Sequence, residues 1–421
     1  MLFWVWALVV MAGCQGPRPQ YAGRSSEPPK PTPPPVALPT REALPPAPRR
    51  VLNGIDVLQR QGYAPLRGLR VGLITNHTGT DRQRNSTIDL LHQAPGVKLM
   101  ALFSPEHGLR GTLDEKVADG VDSRTGLPVY SLYGVRQRPA PEQLKNLDAL
   151  VFDIQDIGCR FYTYISTLGY CLEAAAEAQL KFFVLDRVNP LGGVVMEGPV
   201  YEGEPQFVAF HALPLRHGMT VGELARLFQQ ERGWKVDLTV IPVAGWRRED
   251  WFDATGLPWI NPSPNMRSLT QATLYPGVGL LEFAVSVGRG TDTPFEVVGA
   301  PYVNDLELAE ALNGAGLPGI RFVPVQFTPT ASVFHGQQCG GVNLIITDRT
   351  RLRAVDVGVV LVQTLYRLYP RDFAIDKVHR LLLDKEGLEA IKAGRPLAEI
   401  RRRWEPGLEA FARRRASVLL Y

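Results

Sequence analysis

In Asp148-Ala149-Leu150-Val151-Phe152-Asp153-Ile154 a continuous apolar run stands between two aspartates. It is too short for a helix and does not alternate, so it reads as a strand buried on both faces. The same texture recurs on either side. Leu69-Arg70-Val71-Gly72-Leu73-Ile74-Thr75-Asn76, Val97 to Phe103 and Pro128 to Tyr133 precede it; Lys181 to Asp186 and Asp237 to Val243 follow. Helical stretches fall between these strands. Ser86 reads as a cap, Pro141 to Lys145 as a short helix, and Thr163 to Gln179 as a long one with Leu168, Leu172 and Ala175 at helical spacing. Thr220 with Glu223 three residues on forms a capping box. Strands alternating with helices predict an α/β architecture with a parallel sheet covered on both faces.

In such sheets ligands gather beyond the carboxyl ends of the strands. Polar residues fall on that edge one strand after another: Asn76, then Glu106 and His107, then Asp156 and Arg160, then Asp186, Arg187 and Asn189. The loop Phe103-Ser104-Pro105-Glu106-His107-Gly108-Leu109-Arg110-Gly111 concentrates them most. Proline fixes one side of the Glu–His pair and glycines free the other. The plain alternative is that loops are polar anyway and these side chains serve structure. Asp156 could pair with Arg160, and Asp186 with Arg187.

Several classes are excluded by what is missing. No strand runs into GxGxxG or GxxxxGK[ST], which removes the support for a dinucleotide or nucleoside triphosphate. GxSxG is also absent, which disfavours a nucleophile-elbow hydrolase. A net charge of +4 over 421 residues, without a basic stripe, argues against nucleic acid. Cys14, Cys159, Cys171 and Cys339 make no CxxC pair and no zinc spacing, so neither a metal site nor a cofactor is expected. Cys159 and Cys171 read as buried small residues rather than a bridge.

The texture changes after Gly245. Trp246, Trp251, Phe252 and Trp259 lead into Asn261-Pro262-Ser263-Pro264-Asn265-Met266, an aromatic, proline-locked stretch. It suits either a sugar platform or a plug of packed tryptophans. Tyr275-Pro276-Gly277 reads as the opening of a second part. There Arg289 stands between two glycines, where a guanidinium can approach a carboxylate closely. Ile320 to Val325 and Gly341 to Ile346 read as strands, and Val357 to Leu368 as an apolar helix. Trp404 and Phe411 are expected to anchor a last helix. The folded body thus divides into 51–273 and a smaller α+β part, 274–421.

The amino terminus is different in kind. Met1 to Val10 is almost wholly apolar and ends in Met11-Ala12-Gly13-Cys14, the pattern of a lipoprotein signal over 1–14 with Cys14 as the lipidated residue. A non-lipidated secretory signal or a short anchor is the alternative. Residues 15–50, rich in proline, read as a disordered, semi-extended tether. The expected product is an exported lipoprotein, anchored to a bacterial membrane and facing the periplasm or cell wall.

With these residues in view the chain resembles the exo-β-N-acetylmuramidase family, NamZ-like proteins long known as a domain of unknown function. The likeness is carried by Gly72 to Gly79, Phe103 to Gly111, Thr125 to Gly134, Asp153 to Gly158 and Arg160-Phe161-Tyr162-Thr163-Tyr164. It continues through Leu185-Asp186-Arg187, Asn189-Pro190, Glu197-Gly198-Pro199, Arg216-His217-Gly218-Met219-Thr220, Pro262 to Met266 and Val287 to Thr291. The resemblance implies a Rossmann-like first domain, a smaller second one, and an active site in the cleft between them. It implies release of N-acetylmuramic acid from the non-reducing end of peptidoglycan fragments during cell-wall turnover, with no cofactor and Glu106 as the catalytic glutamate. Beside Glu106, Asp156 is a candidate base, and Tyr162 or Tyr164 could stabilise charge or bind the sugar. Arg160 or Arg289 would meet the lactyl carboxylate. Asn76, His107, His217 and Asn265 are candidate contacts to hydroxyl or acetamido groups. The rival is a non-catalytic lipoprotein that binds muropeptides on the same fold. Oligomeric state is not legible.

Overall fold

Twelve strands and eleven helices follow one another in the computed structural model, which describes residues 50–106, 108–109, 119–134 and 136–421. The apolar start, Cys14, the proline-rich stretch up to residue 49, and His107 lie outside the described residues. The chain divides into Met1–Pro46 and Ala47–Tyr421, and the described residues belong to the second unit.

The first part alternates as its texture predicts: α1 (Gly54–Arg60), β1 (Arg70–Thr75), α2 (Thr87–Gln93), β2 (Lys98–Ser104), β3 (Gly120–Val121), β4 (Pro128–Ser131), α3 (Pro141–Leu144), β5 (Ala149–Asp153), α4 (Tyr164–Glu177) and β6 (Lys181–Leu185). A two-stranded ribbon of β7 (Glu197–Val200) and β8 (Pro214–Arg216) precedes α5 (Val221–Arg232) and β9 (Leu238–Ile241). The main sheet has the order β3-β4-β2-β1-β5-β6-β9. All its pairings are parallel except that of the edge strand β3. Every residue of β5 is buried, as expected of a strand with helices on both faces. The strand order reverses between β1 and β5, which makes their carboxyl ends the expected ligand crevice. Thr220 caps α5 and Glu223 completes its capping box.

Helix α6 (Leu269–Val278) passes straight through the Tyr275-Pro276-Gly277 break expected from sequence. Pro276 removes a hydrogen bond only in the last turn, which a helix tolerates better than a break at its centre. Gly277 is there for packing: a Cβ would lie 1.8 Å from the Ala354 carbonyl oxygen. Its helix lies backbone to backbone against α8 (Ala354–Leu368). The second part comprises β10 (Val297–Ala300), α7 (Asp305–Gly314), β11 (Ile320–Phe327), β12 (Cys339–Ile346), α8 (Ala354–Leu368), α9 (His379–Leu382), α10 (Lys385–Lys392) and α11 (Leu397–Ala416). Its sheet is antiparallel, in the order β10-β12-β11. Trp404 and Phe411 are buried anchors of α11. Cys159, Cys171 and Cys339 are free and buried. One hydrophobic cluster runs from Phe103 and Phe152 through Phe161 and Tyr275 to Phe411, so the two parts share a core.

Candidate active site

The crevice at the strand-order reversal is filled by the chain itself. Asn76 at the end of β1 accepts from the Thr78 amide (2.9 Å) and hydroxyl (2.6 Å). Arg187 turns back to Asp153, at 2.6 and 3.0 Å, and donates to the Thr80 carbonyl. It does not form the expected side-chain pair with Asp186. Asp186 instead accepts from the Thr220 hydroxyl (2.8 Å), the Gly222 amide (2.7 Å) and the Tyr421 hydroxyl (2.7 Å). Asn189 holds its own turn through the Leu191 amide and the Met219 carbonyl. These strand ends form a lattice that fixes loops, the structural alternative noted from the sequence.

Asp156 and Arg160 do not meet either. Asp156 is buried, accepts from the Gly158 amide at 2.7 Å, and stands 3.4 Å from His217 Nε2. His217 is fully buried and its Nδ1 accepts from the Met219 amide. Gly158 takes φ +84°, and a Cβ there would lie 2.5 Å from Asn189 Oδ1. The Arg160 guanidinium is fully buried and donates to the carbonyls of Pro199, Leu213, Leu381 and Leu382. Burial lowers its pKa to about 10. It ties the first part to α9 and does not line the pocket described next. Asn76, Asp156, His217 and Asn265 are likewise off the pocket wall.

That pocket encloses about 300 Å³ and draws its lining from both parts of the chain. Glu106, Tyr133 and Phe161-Tyr162-Thr163-Tyr164 come from the first part, with Phe207, Val208, Ser263 and Met266. Tyr275, Glu282, Phe283, Arg289, Phe295 and Leu381 come from the second. Glu106 follows β2 at the start of α4, where Thr163 is the N-cap. The Thr163 hydroxyl makes no cap to its own helix and donates to Glu106 Oε2 at 2.7 Å.

The floor is aromatic. Tyr162 meets Tyr164 and Tyr275 edge-on at 5.1 and 5.9 Å, and Tyr275 meets Phe161 and Phe295. Tyr133 and Phe207 approach to 6.1 Å at another part of the wall. The Tyr164 hydroxyl donates to the Pro262 carbonyl at 2.6 Å, which locks the proline loop to α4. Burial, then the Glu106 charge, raises the Tyr164 pKa. Burial, then Glu282, raises that of Tyr275, with Glu106 adding to it. Both phenols therefore remain protonated donors, and Tyr275 feels both pocket carboxylates. Arg289 lies beside this floor, donates to Glu282 at 2.9 Å, and stacks 5.1 Å from the Phe295 ring centre.

The structure thus brings Glu106, Tyr162, Tyr164 and Arg289 together out of the sequence-marked residues. Sequence reasoning missed Thr163, Glu282, Tyr275 and the Tyr133–Phe207 pair. The block around Tyr162 pointed at Thr163; nothing local distinguished Glu282 from a surface acid. The tryptophan stretch is the plug rather than the platform. Trp246 packs on Tyr421 and Trp259 on Phe252, away from the pocket. Among the described residues no group of three or more His, Cys, Asp or Glu could hold a metal ion.

Comparison with known proteins bears on this pocket. Residues 71–270 match the family model described as exo-beta-N-acetylmuramidase NamZ, N-terminal, and 273–421 match its C-terminal counterpart. The chain is 44% identical over 379 residues to the peptidoglycan beta-N-acetylmuramidase NamZ of Bacillus subtilis (strain 168), covering 88% of this chain and 92% of the relative. Two DUF1343 family crystal structures from Bacteroides fragilis NCTC 9343 are similar. One has a TM-score of 0.83 at 40% identity, the other 0.72 at 30%; each match covers 88% of this chain and 99% of the other.

Proposed function

The chain belongs to the exo-β-N-acetylmuramidase NamZ family, a family of glycoside hydrolases, and from that premise we propose that it removes N-acetylmuramic acid from the non-reducing end of peptidoglycan fragments, with Glu106 as general acid. The observation that carries this reading is the hydrogen bond from Thr163 to Glu106 Oε2 inside an aromatic pocket. It occupies one carboxyl oxygen and leaves Oε1 to carry a proton to the glycosidic oxygen. The aromatic floor suits the apolar C–H face of a sugar ring. About 300 Å³ is at the small end for a ligand site, in keeping with removal of one sugar at a time.

Within the same reading, Tyr162, Tyr164 and Tyr275 offer protonated phenols near the ring. Among the described residues Arg289 is the guanidinium on the pocket wall, so it, rather than Arg160, is the one we assign to the lactyl carboxylate. The test is turnover. The soluble body, incubated with a chromogenic β-N-acetylmuramide and the matching glucosaminide, should release chromophore from the muramide. Release from the glucosaminide alone would refute the muramic-acid assignment. Glu106→Gln should lower kcat by about 10²–10⁴-fold, and near-wild-type activity would remove Glu106 as the acid.

Export as a lipoprotein on Cys14, with the proline-rich stretch as spacer, belongs to this proposal. The supporting pattern is the apolar run ending in Met11-Ala12-Gly13-Cys14. Labelling with an alkyne fatty acid in a bacterial host should mark the full chain and not its Cys14→Ser variant. Equal labelling of both would sink the anchor.

A further inference from the structure

Glycosidic cleavage needs a proton for the leaving oxygen and, in a direct displacement, a second group that takes a proton from the attacking water. The sequence reading offered Asp156 for that second task, but Asp156 is buried off the pocket wall and bound to the Gly158 amide. Among the described residues, two carboxylates line the pocket, Glu106 from the first part of the chain and Glu282 from the second. We infer that Glu282 is the second catalytic carboxylate, the base that activates the water attacking the anomeric carbon.

Four observations support this. Glu282 lines the same pocket as Glu106 with a side chain only 13% exposed, so it stands at the wall and out of bulk solvent. It is the anionic partner of Arg289, at 2.9 Å, and so has the form a base needs. Arg289 is held in turn over Phe295, which gives the carboxylate a fixed support rather than a mobile counter-ion. Tyr275, whose phenol responds to both Glu282 and Glu106, places the two acids around one aromatic floor. In the step, water oxygen bonds to C1 and gives one proton to Glu282. The C1–O bond breaks, and the departing oxygen takes the proton of Glu106. The resulting sugar has the inverted, α configuration.

This rests on the pocket being a glycosidase site. Muramide hydrolysis by the unaltered enzyme tests that premise, and the Glu282 variants test the inference itself. Glu282→Gln should keep its circular dichroism spectrum and lower kcat by about 10²–10⁴-fold, with KM changed by less than about threefold. Glu282→Ala should regain turnover in sodium azide, which needs no base, and give the α-glycosyl azide. Early proton spectra of the wild-type reaction should show the α anomer first. The inference is overturned by a Glu282→Gln enzyme within about threefold of wild-type kcat, by a change confined to KM, or by initial release of the β anomer. Should Glu282→Gln fail to fold, azide rescue of Glu282→Ala and the product anomer decide alone.

Discussion

The hydroxyl of Thr163 donates to Glu106 Oε2 at 2.7 Å instead of capping its own helix. A helix start gives up its side-chain cap, worth about 1 kcal/mol, to hold one carboxyl group. The trade makes sense if the carboxyl orientation matters more than the helix end. Thr163→Val keeps the shape and removes the donor. It should lower kcat about tenfold or more with little change in KM, while Thr163→Ser should retain most activity. Equal activity of the valine variant and wild type would show that Glu106 needs no such support.

Arg160 is buried among backbone carbonyls, whereas Arg289 lies on the pocket wall. Arg160 satisfies four backbone carbonyls, two of them at the end of α9. Arg160→Met removes this donor from all four, of which Leu213 keeps the Tyr201 amide, and should cost about 3 kcal/mol or more of stability, read from a urea midpoint. The preference for muramide over glucosaminide should not move in what folds. Arg289→Ala should show the reverse: weaker binding of N-acetylmuramic acid but little change for N-acetylglucosamine, which lacks the lactyl group. Equal weakening of both ligands would end the carboxylate role of Arg289.

Much of the architecture was legible, because buried parallel strands and capped helices leave local marks. Ala149 to Phe152 and the Thr220–Glu223 box are read within a few residues of chain. Glu106 was legible too, framed by Pro105 and Gly108 after a buried strand. Its neighbours were not. Asn76, Asp156, Asp186 and Arg187 have the residue types of a ligand site, yet the first three satisfy buried amides and hydroxyls and Arg187 pairs with Asp153. Sequence shows that a polar group stands at a strand end, not whether its partner is a ligand or the chain. Glu282 follows a single 3-10 turn, Gly279–Leu281, which tertiary packing, Phe161 on Tyr275 included, brings to the pocket. Such convergence depends on tertiary structure and has no period to read.

Acid should unfold the protein partly through Glu231. Burial pushes its carboxyl up, but hydrogen bonds from His211 (2.6 Å) and Arg414 outweigh it and hold the pKa at about 2. A carboxyl with a depressed folded pKa contributes stability above its unfolded value near 4.5. That contribution fades as pH falls from there toward 2. Glu231→Gln should therefore be less stable than wild type at pH 6 by about 2 kcal/mol, and the gap should narrow to about half of that by pH 3. A gap of constant size across this range would assign the loss to packing instead.

The Tyr421 hydroxyl accepts from the Val243 amide and donates to Asp186, both at 2.7 Å, while its ring packs on Trp246. Asp186 is fully buried, and burial pushes its pKa up to about 6; the Gly222 amide and the Tyr421 and Thr220 hydroxyls pull the other way. A carboxyl with a raised folded pKa contributes stability at low pH that is lost as pH rises through the window from 3.8 to about 6. Tyr421→Phe removes one of the donors that limit this shift. It should destabilise the fold by about 1–3 kcal/mol at pH 7.5, and by less at pH 5, where Asp186 in the variant is protonated. Thermal midpoints at the two pH values measure the difference. Because Tyr421 does not line the pocket, kcat at 25 °C should stay within about twofold of wild type. A loss of activity in a variant of unchanged melting temperature would instead place Tyr421 in communication with the site.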